Sequence, residues 1–399
     1  MTKTEDVLIV GGGFAGVQAA LHLSNDARFV VTILSDDPDM RYYPTLYRTA
    51  TGGVRASSSI PLTKIFEHAN NVKIENGKAE TIDKKAKIII TEDKKTYSYD
   101  VLILALGVIT NYFGIPGLAE YSYSIKSQEQ VERFKAHLHK QLTDDRRPDL
   151  NYVIVGAGPT GIELAGALPE YLRHIMRNHK IKNNRAIHID LIEAAPQLLP
   201  RSPKTTSNSV KRRLKKLGIK LYVNSVVQAE NIDGLTVSGK PIRSHTVIWT
   251  AGVTNHPFFT NNHFIMMGRG KVAVDIYLQT DENIYVLGDN ANTPFSGMAQ
   301  TALRDGEFVA TNLKRKASGK SLKSYNAKQP ITIIPAGPKW AAVVWGKMQL
   351  SGFLGYLLLE GAYLVGFHHL EPWPLATRQF LTEFSSQDNC EICSAATSK

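Results

Sequence analysis

The sequence predicts an α/β fold of two parallel-sheet units followed by an apolar C-terminal region, and three observations predict it. First, a buried strand, a Gly-x-Gly-x-x-Gly turn and a helix follow one another twice. Asp6-Val-Leu-Ile-Val-Gly-Gly-Gly-Phe-Ala-Gly16 runs into a helical stretch at 17–24, and Asn151-Tyr-Val-Ile-Val-Gly-Ala-Gly-Pro-Thr-Gly161 runs into another at 162–174. Second, each copy is followed by a strand ending near an acid, 29–34 before Asp36 and 186–192 before Glu193. Third, each half closes on a buried run and a glycine, at 99–107 and 245–252. Strands that alternate with helices in this way build parallel sheets.

Composition sets the outer bounds. A chain of 399 residues supports two to three domains. With 43% hydrophobic residues it is not a disordered chain, and with only two cysteines it is not a disulfide scaffold. The scarcity of cysteine, and an N-terminus without a signal-peptide pattern, predict a reducing, cytoplasmic-side setting. The net charge of +11 asks for an anionic partner: nucleic acid, an anionic membrane surface or a phosphate-bearing cofactor.

The remaining elements follow in order. Strands are predicted at 72–80, 86–91, 221–227 and 235–237. A strand at 284–289 leads into a helix at 299–315, and the basic, Ser-rich 314–329 reads as a connector. Two strands flank the turn Pro335-Ala-Gly-Pro338, and 350–367 has Glu360 as its only charge. The polar tail 385–399 is expected to be disordered. The resulting domains are 1–115 with 270–325, then 116–269, then a C-terminal membrane-associated region at 326–384.

The glycine turns carry the chemistry. Gly11 permits the tight turn, Gly13 lets backbone approach a pyrophosphate, and Gly16 allows close helix–strand packing, while the helix N-terminus supplies N–H donors. One such motif is weak evidence; two, each between a strand and a helix, are strong. They predict two Rossmann-like dinucleotide-binding domains, with FAD at the first and NADH at the second. Phe14, Ala15 and Gly107 complete the first site, where Ser35 and Asp36 are both candidates for the ribose. Gly156, Gly158, Pro159, Thr160, Gly161 and Gly252 form the second, with Glu193 on the ribose. Ala194 and Ala195 offer no Arg for a 2′-phosphate, so NADH is preferred over NADPH. Glu193 lies farther from Gly161 than usual, past a basic insertion at 174–185.

With Gly288-Asp289, these features resemble the two-dinucleotide flavoprotein reductases. Tyr43-Pro-Thr-Leu-Tyr47, Gly161-Ile-Glu-Leu-Ala-Gly166, Ala299-Gln-Thr-Ala302 with Gly306, and the apolar C-terminal region are similar to type II NADH dehydrogenases. The resemblance spans about residues 6–380. It implies a single-subunit, non-proton-pumping NADH:quinone oxidoreductase of respiratory electron transport, with a membrane quinone, menaquinone or ubiquinone, as acceptor. By the same resemblance Asp289 holds the FAD ribityl chain, Glu163 lies beside nicotinamide and flavin, and Ala299 and Gln300 lie beside the isoalloxazine, with Gln300 lining the quinone pocket. The family motif Ala-Gln-x-Ala-x-Gln-x-Gly is broken here, because Arg304 stands at the second Gln. Arg304 and Lys347 are further quinone-site candidates. Plainer readings exist: Glu163 as an acid favoured in a helix's first turn, Asp289 as a helix cap, Gln300 as a helix-surface amide, Lys347 as a lipid-facing anchor.

Absences narrow the choice of redox partner. No Cys precedes Cys390, so a thiol half-reaction beside the flavin has no residue to run on. Cys390-Glu-Ile-Cys393 could shuttle electrons from a mobile tail or form half a metal site, but a bystander tail and no metal are the expectation. In 350–367, Glu360 and the glycines Gly352, Gly355, Gly361 and Gly366 weaken a membrane span. The aromatics Trp340, Trp345, Tyr356, Tyr363 and Trp373, with Pro372 and Pro374 breaking the helix, suit a monotopic anchor on the cytoplasmic face of an anionic membrane. A homodimer interface is the alternative use of that surface. No basic–aromatic platform appears, so nucleic acid is not a partner. A soluble flavoprotein NADH oxidase or diaphorase, and a non-catalytic FAD/NADH-binding protein, are the alternative functions.

Overall fold

Four buried apolar residues in a row, Val7 to Val10, make β1 (Glu5–Val10) a strand covered on both faces, as parallel strands are. A computed structural model describes residues 4–143, 151–181, 187–370 and 373–385. After β1 come α1 (Phe14–Leu23), β2 (Phe29–Ser35), α2 (Tyr43–Ala50), β3 (Val72–Asn76) and β4 (Val101–Leu104). β1 pairs in parallel with both β2 and β4, so Ile9 faces Ile33 on one side and Ile103 on the other. The second unit runs α3 (Gln128–Thr143), β5 (Asn151–Val155), α4 (Pro159–Asn178), β6 (His188–Ile192), α5 (Lys204–Lys216), β7 (Lys220–Tyr222) and β8 (Thr246–Trp249). Its sheet is parallel, in the order β7-β6-β5-β8. The chain then returns through β9 (Gln279–Asp281) and β10 (Ile284–Val286), giving the first sheet the order β9-β10-β4-β1-β2-β3.

Several expected boundaries move. The segment 72–80 is two elements: β3 ends at Asn76, and Ala79–Asp83 opens an antiparallel meander with Ile88–Thr91 and Thr96–Ser98. The segment 221–227 divides likewise, β7 ending at Tyr222 and Val227–Asn231 opening a second meander. Residues 256–269, expected with the second unit, belong by packing to the first. Phe258, Phe259 and Phe264 share a core cluster with Leu8, Val10, Leu34 and Leu104. Burial of three phenylalanines decides their allegiance, and chain order does not.

The C-terminal part begins after α6 (Ala299–Ala317), which runs two residues past the expected end and lies along α1. Gly306 permits that contact, since a Cβ there would come within 2.4 Å of the Ala15 carbonyl oxygen. β11 (Thr332–Pro335) and β12 (Ala341–Trp345) flank the expected turn, and an unexpected third strand, β13 (Met348–Gly352), completes an antiparallel sheet. The stretch 350–367 therefore starts in a strand, and only α7 (Phe353–His368) is helical. Two of its glycines, Gly355 and Gly366, serve packing, whereas Gly361 faces open space among the described residues. A Cβ at Gly355 would meet the Ala341 carbonyl oxygen at 2.2 Å, and one at Gly366 the Tyr42 hydroxyl at 1.9 Å. Leu359, Tyr363 and Phe367 of α7 join the first unit's core. A last helix, α8 (Trp373–Ser385), opens on Trp373-Pro374, so Pro374 starts a helix, as its fixed φ suits it to do. Among the described residues no helix is long and apolar enough to cross a membrane. Pro372, the tail beyond Ser385 and both cysteines lie outside the described residues.

Candidate functional site

The two glycine turns are built alike, and their glycines divide into two kinds. Gly11 (φ +114°) and Gly156 (φ +103°) are left-handed and crowded, a Cβ falling 2.3 Å from the Ala105 oxygen and 2.6 Å from Ala251 Cα. Gly16 and Gly161 are equally closed, at 2.1 Å and 1.9 Å from the carbonyl oxygens of Gly11 and Gly156. Gly13 and Gly158 differ. Their φ values, −87° and −72°, suit any residue, and a Cβ on either would meet nothing within 4 Å among the described residues. The protein's own packing therefore gives no reason for glycine at these two positions. Each is the N-cap of its helix, without a side-chain cap bond and without an acid in the following turn. The N–H groups at the starts of α1 and α4 stand ready for an anion that comes close to bare backbone.

The first turn sits among buried Phe14 and Ala15, while Pro159 and Thr160 open α4 exposed to solvent. The two candidate ribose contacts separate. Ser35 is buried, donating its hydroxyl to the Asp37 carbonyl at 2.8 Å, whereas Asp36 is exposed at the end of β2. Glu193 at the end of β6 reaches back to its glycine turn. Its carboxylate accepts the Ala157 N–H at 2.7 Å and the Ala195 N–H at 2.9 Å. The long spacing from Gly161 is taken up by α4 and the segment after it.

A second set of contacts closes the first unit. Gly107 (φ +73°) is clasped by buried Asn290, which accepts its N–H at 2.9 Å and donates to its carbonyl at 2.6 Å. Gly252 abuts the Phe113 ring. Asp289 stands half-buried in the turn Gly288–Asn290, and the N-cap of α6 is Met298, so Asp289 does not cap that helix. Lys126 and Lys271 face it. Burial pulls both ammonium groups down and Asp289 holds them up, with the Tyr43 ring centre 6.0 Å from the Lys126 nitrogen. Asp305 accepts the Gly288 N–H at 3.0 Å and the Tyr325 hydroxyl at 2.5 Å, and burial pushes its carboxyl up to about 6. Asn290, Lys126 and Asp305 were not legible in sequence; only the neighbouring Gly-Asp and the half-repeat marked this region.

Glu163 is the fifth residue of α4, beyond the first turn where the helix dipole acts, so that plainer reading loses its ground. It is partly accessible yet ringed by protein, and burial pushes its carboxyl up to about 8, against the pull of Arg48. Arg48, on α2, was not anticipated. Its guanidinium meets Glu360 at 3.0 Å and the Tyr47 hydroxyl at 3.1 Å. One signal existed: a lone acid in the apolar stretch 350–367 needs a buried partner.

The expected quinone residues lie on two elements, Gln300 and Arg304 on α6 and Lys347 on the β12–β13 hairpin. Gln300 accepts the Ile331 N–H at 3.0 Å, and Arg304, one turn later, donates to the Lys328 carbonyl at 2.9 Å. Both hold the segment between α6 and β11, which leaves the Gln300 amide nitrogen as that residue's available donor. Lys347 stands exposed at the tip of the β12–β13 hairpin, between exposed Trp345 and Met348.

Comparison with known proteins follows this geometry. The family model for pyridine nucleotide-disulphide oxidoreductases matches residues 5–306. The Mycobacterium tuberculosis protein named type II NADH:quinone oxidoreductase NdhA is 28% identical over 400 residues, covering 91% of this chain and 84% of its own length. The Staphylococcus haemolyticus type II NADH:quinone oxidoreductase is 25% identical, covering 86% and 90%. Among solved structures, NDH2 from Plasmodium falciparum in complex with NADH superposes with a TM-score of 0.85 at 17% identity, covering 96% of this chain and 98% of that one. The sulfide:quinone oxidoreductase of Aquifex aeolicus has a TM-score of 0.77 at 19% identity, covering 91% of each chain. The likeness to these two structures is one of fold.

Proposed function

The chain belongs to the pyridine nucleotide-disulphide oxidoreductase family, and we propose that it is a single-subunit NADH:quinone oxidoreductase of the type II kind, without proton pumping. The observation that carries this reading is the pair of open glycines, Gly13 and Gly158, each heading an uncapped helix. Two cradles of this form fit two pyrophosphates, FAD in the first and NADH in the second. The relatives named as type II NADH:quinone oxidoreductases cover most of the chain and support the choice of acceptor. Thiol chemistry, which the family's name allows, has no cysteine before Cys390 to use.

When bound, FAD supplies the two-electron step between hydride donor and quinone. The chain's own residues do the rest. Asp36, exposed at the end of β2, takes the FAD ribose; Ser35, turned inward, shapes the turn. Asp289, flanked by Lys126 and Lys271, holds the ribityl chain, and Asn290 keeps the Gly107 loop against it. Glu193 braces the second cradle and presents its carboxylate edge to the adenosine ribose. Glu163, with a carboxyl raised to about 8, holds a proton near neutral pH and can release it. The Gln300 amide nitrogen is the donor toward a quinone oxygen, and Arg304 secures the connector beside it.

The acceptor arrives from lipid. One face of α7 exposes Phe353, Leu354, Leu357, Leu358 and Val365, and its other face is docked on the body. Trp345 and Met348 of the hairpin tip, with Trp373 and Leu381 of α8, extend the exposed apolar surface. A continuous apolar face on a protein of charge +11 suits insertion into one leaflet of an anionic membrane, at its cytoplasmic face. The test is anaerobic stopped-flow mixing with NADH, then reoxidation by menaquinone or ubiquinone in vesicles. Flavin bleaching followed by quinone-dependent reoxidation is expected, and reoxidation by oxygen alone would replace this reading with a soluble oxidase. Gln300→Ala should slow reoxidation while bleaching survives; equal loss of both would remove Gln300 from the acceptor site.

A further inference from the structure

The 13 residues of α5 carry six cations and no acid. Lys204, Lys211, Arg212, Arg213, Lys215 and Lys216 thus make up more than half of the net charge of +11. The flanking residues extend the run, since no Asp or Glu occurs from 201 to 220. Among the described residues none of the six meets a carboxylate at ion-pair distance. Helix chemistry explains only the end of this pattern. Arg213, Lys215 and Lys216 suit the C-terminal dipole, but Lys204 opens the helix, where a cation is disfavoured and no acid offsets it. Lys211 and Lys215, and Arg212 and Lys216, stand one turn apart, where like charges repel.

The helix is tied at both ends to the C-terminal sheet. At its start, the Thr205 and Thr206 hydroxyls donate to Gln349 Oε1 of β13, the second at 2.8 Å. At its end, Arg213 donates to the Ala336 carbonyl at 3.0 Å and the Pro338 carbonyl at 2.8 Å. The face so docked buries Thr206, Ser207, Val210 and Leu214. Lys204, Arg212, Lys215 and Lys216 are left exposed, with Lys211 half-buried. Gln349 adjoins Met348, so the start of α5 lies beside the hairpin tip, where Trp345, Lys347 and Met348 are exposed. From that hairpin β13 runs straight into α7 and its exposed apolar residues.

We propose that α5 is the headgroup-binding element of this protein's membrane surface: its cations contact anionic phospholipid headgroups of the bilayer that receives the hairpin tip and α7. The inference rests on the reading that the apolar face enters one leaflet. It adds that the second unit is itself held on the lipid, through a helix outside the C-terminal region. Charge complementarity names the lipid class, because zwitterionic headgroups offer no net charge to these cations. Adjacency to an apolar tip selects a bilayer over nucleic acid, and α5 carries no aromatic on which a base could stack. Basic residues beside a membrane-inserted segment feel the anionic surface potential, which acts within about 10 Å at about 0.1 M salt.

The experiment is cosedimentation of the FAD-loaded full chain with vesicles of phosphatidylcholine alone and of phosphatidylcholine with phosphatidylglycerol. The α5 variant carries Lys204→Gln, Lys211→Gln, Arg212→Gln and Lys215→Gln, which keep a good helix former at each position and spare Arg213. A control removes the same charge from exposed positions elsewhere, as Lys85→Gln, Lys140→Gln, Lys240→Gln and Arg243→Gln. The parent and the control should bind anionic vesicles at least about tenfold more tightly than neutral ones, a preference that about 0.5 M salt largely removes. The α5 variant should lose most of that preference, while its binding to neutral vesicles and its melting temperature hold. A preference kept by the α5 variant, or lost equally by the control, overturns the proposal. So does oligonucleotide binding that vanishes in the α5 variant while its vesicle binding survives. A parent that binds both vesicles equally removes the role of α5 and leaves the apolar face standing. A parent that binds neither removes the membrane reading itself, and the proposal with it.

Discussion

Replacing Gly158 with Ala separates the ligand's demand for space from the protein's. The new methyl meets no atom of the described residues within 4 Å, and φ −72° is comfortable for Ala. Losing a Gly N-cap costs roughly 0.5–1 kcal/mol, while the stiffer unfolded chain returns about 0.4–1 kcal/mol. The unliganded variant should therefore match the parent to within about 0.5 kcal/mol. NADH binding is another matter, because the methyl occupies the approach of the pyrophosphate. A loss of at least tenfold is expected, about 1.4 kcal/mol. At NADH one hundred times the parent's Kd, ligand stabilisation should drop from about 2.7 to about 1.4 kcal/mol. Gly161→Ala is the control, since its Cβ lies 1.9 Å from the Gly156 carbonyl oxygen and should cost about 3 kcal/mol or more without any ligand. Thermal melts with and without NADH, and NADH fluorescence titrations, read both quantities. A Gly158→Ala protein that binds NADH like the parent, or melts as early as Gly161→Ala, would refute the open-cradle argument.

Other substitutions probe the remaining parts. Asp305 titrates at about 6 when folded against 3.8 as an unperturbed group, so the folded state holds the extra proton between those values. Stability from this group is full below about pH 4 and lost as pH rises through 6, by roughly 3 kcal/mol; Asp305→Asn should gain stability near neutral pH and little near pH 4, and equal effects at both would contradict the assignment. Glu193→Ala orphans the N–H groups of Ala157 and Ala195 and should raise the NADH Michaelis constant about tenfold or more, with FAD content retained. Loss of FAD instead would show that the two cradles are misassigned. Leu354→Glu with Leu358→Glu places charge on the exposed face of α7 and should weaken sedimentation with anionic vesicles at least tenfold. Unchanged vesicle binding together with a new monomer–dimer equilibrium would make that face a homodimer interface.

The glycine turns, their flanking strands and the parallel sheets were legible in the chain, because each follows from local requirements: positive φ at Gly11 and Gly156, and apolar runs buried on both faces. The apolar helix α7 was half legible. Apolar composition marked it, but Gly355 and Gly366 read as weakness when they are the points where α7 touches the body. Close approach depends on what lies opposite, and that neighbour comes from elsewhere in the chain.

What the sequence by itself determined is the pair of strand–glycine turn–helix units, since backbone conformation and strand burial are set within a dozen residues. Tertiary structure alone decided how the site is charged. Arg48 and Glu360 lie 312 residues apart in sequence yet meet at 3.0 Å, and the Arg48 charge pulls down the Glu163 carboxyl that burial pushes up. Desolvation and Coulomb interaction depend on distance and burial in space, and neither is written in the order of the residues.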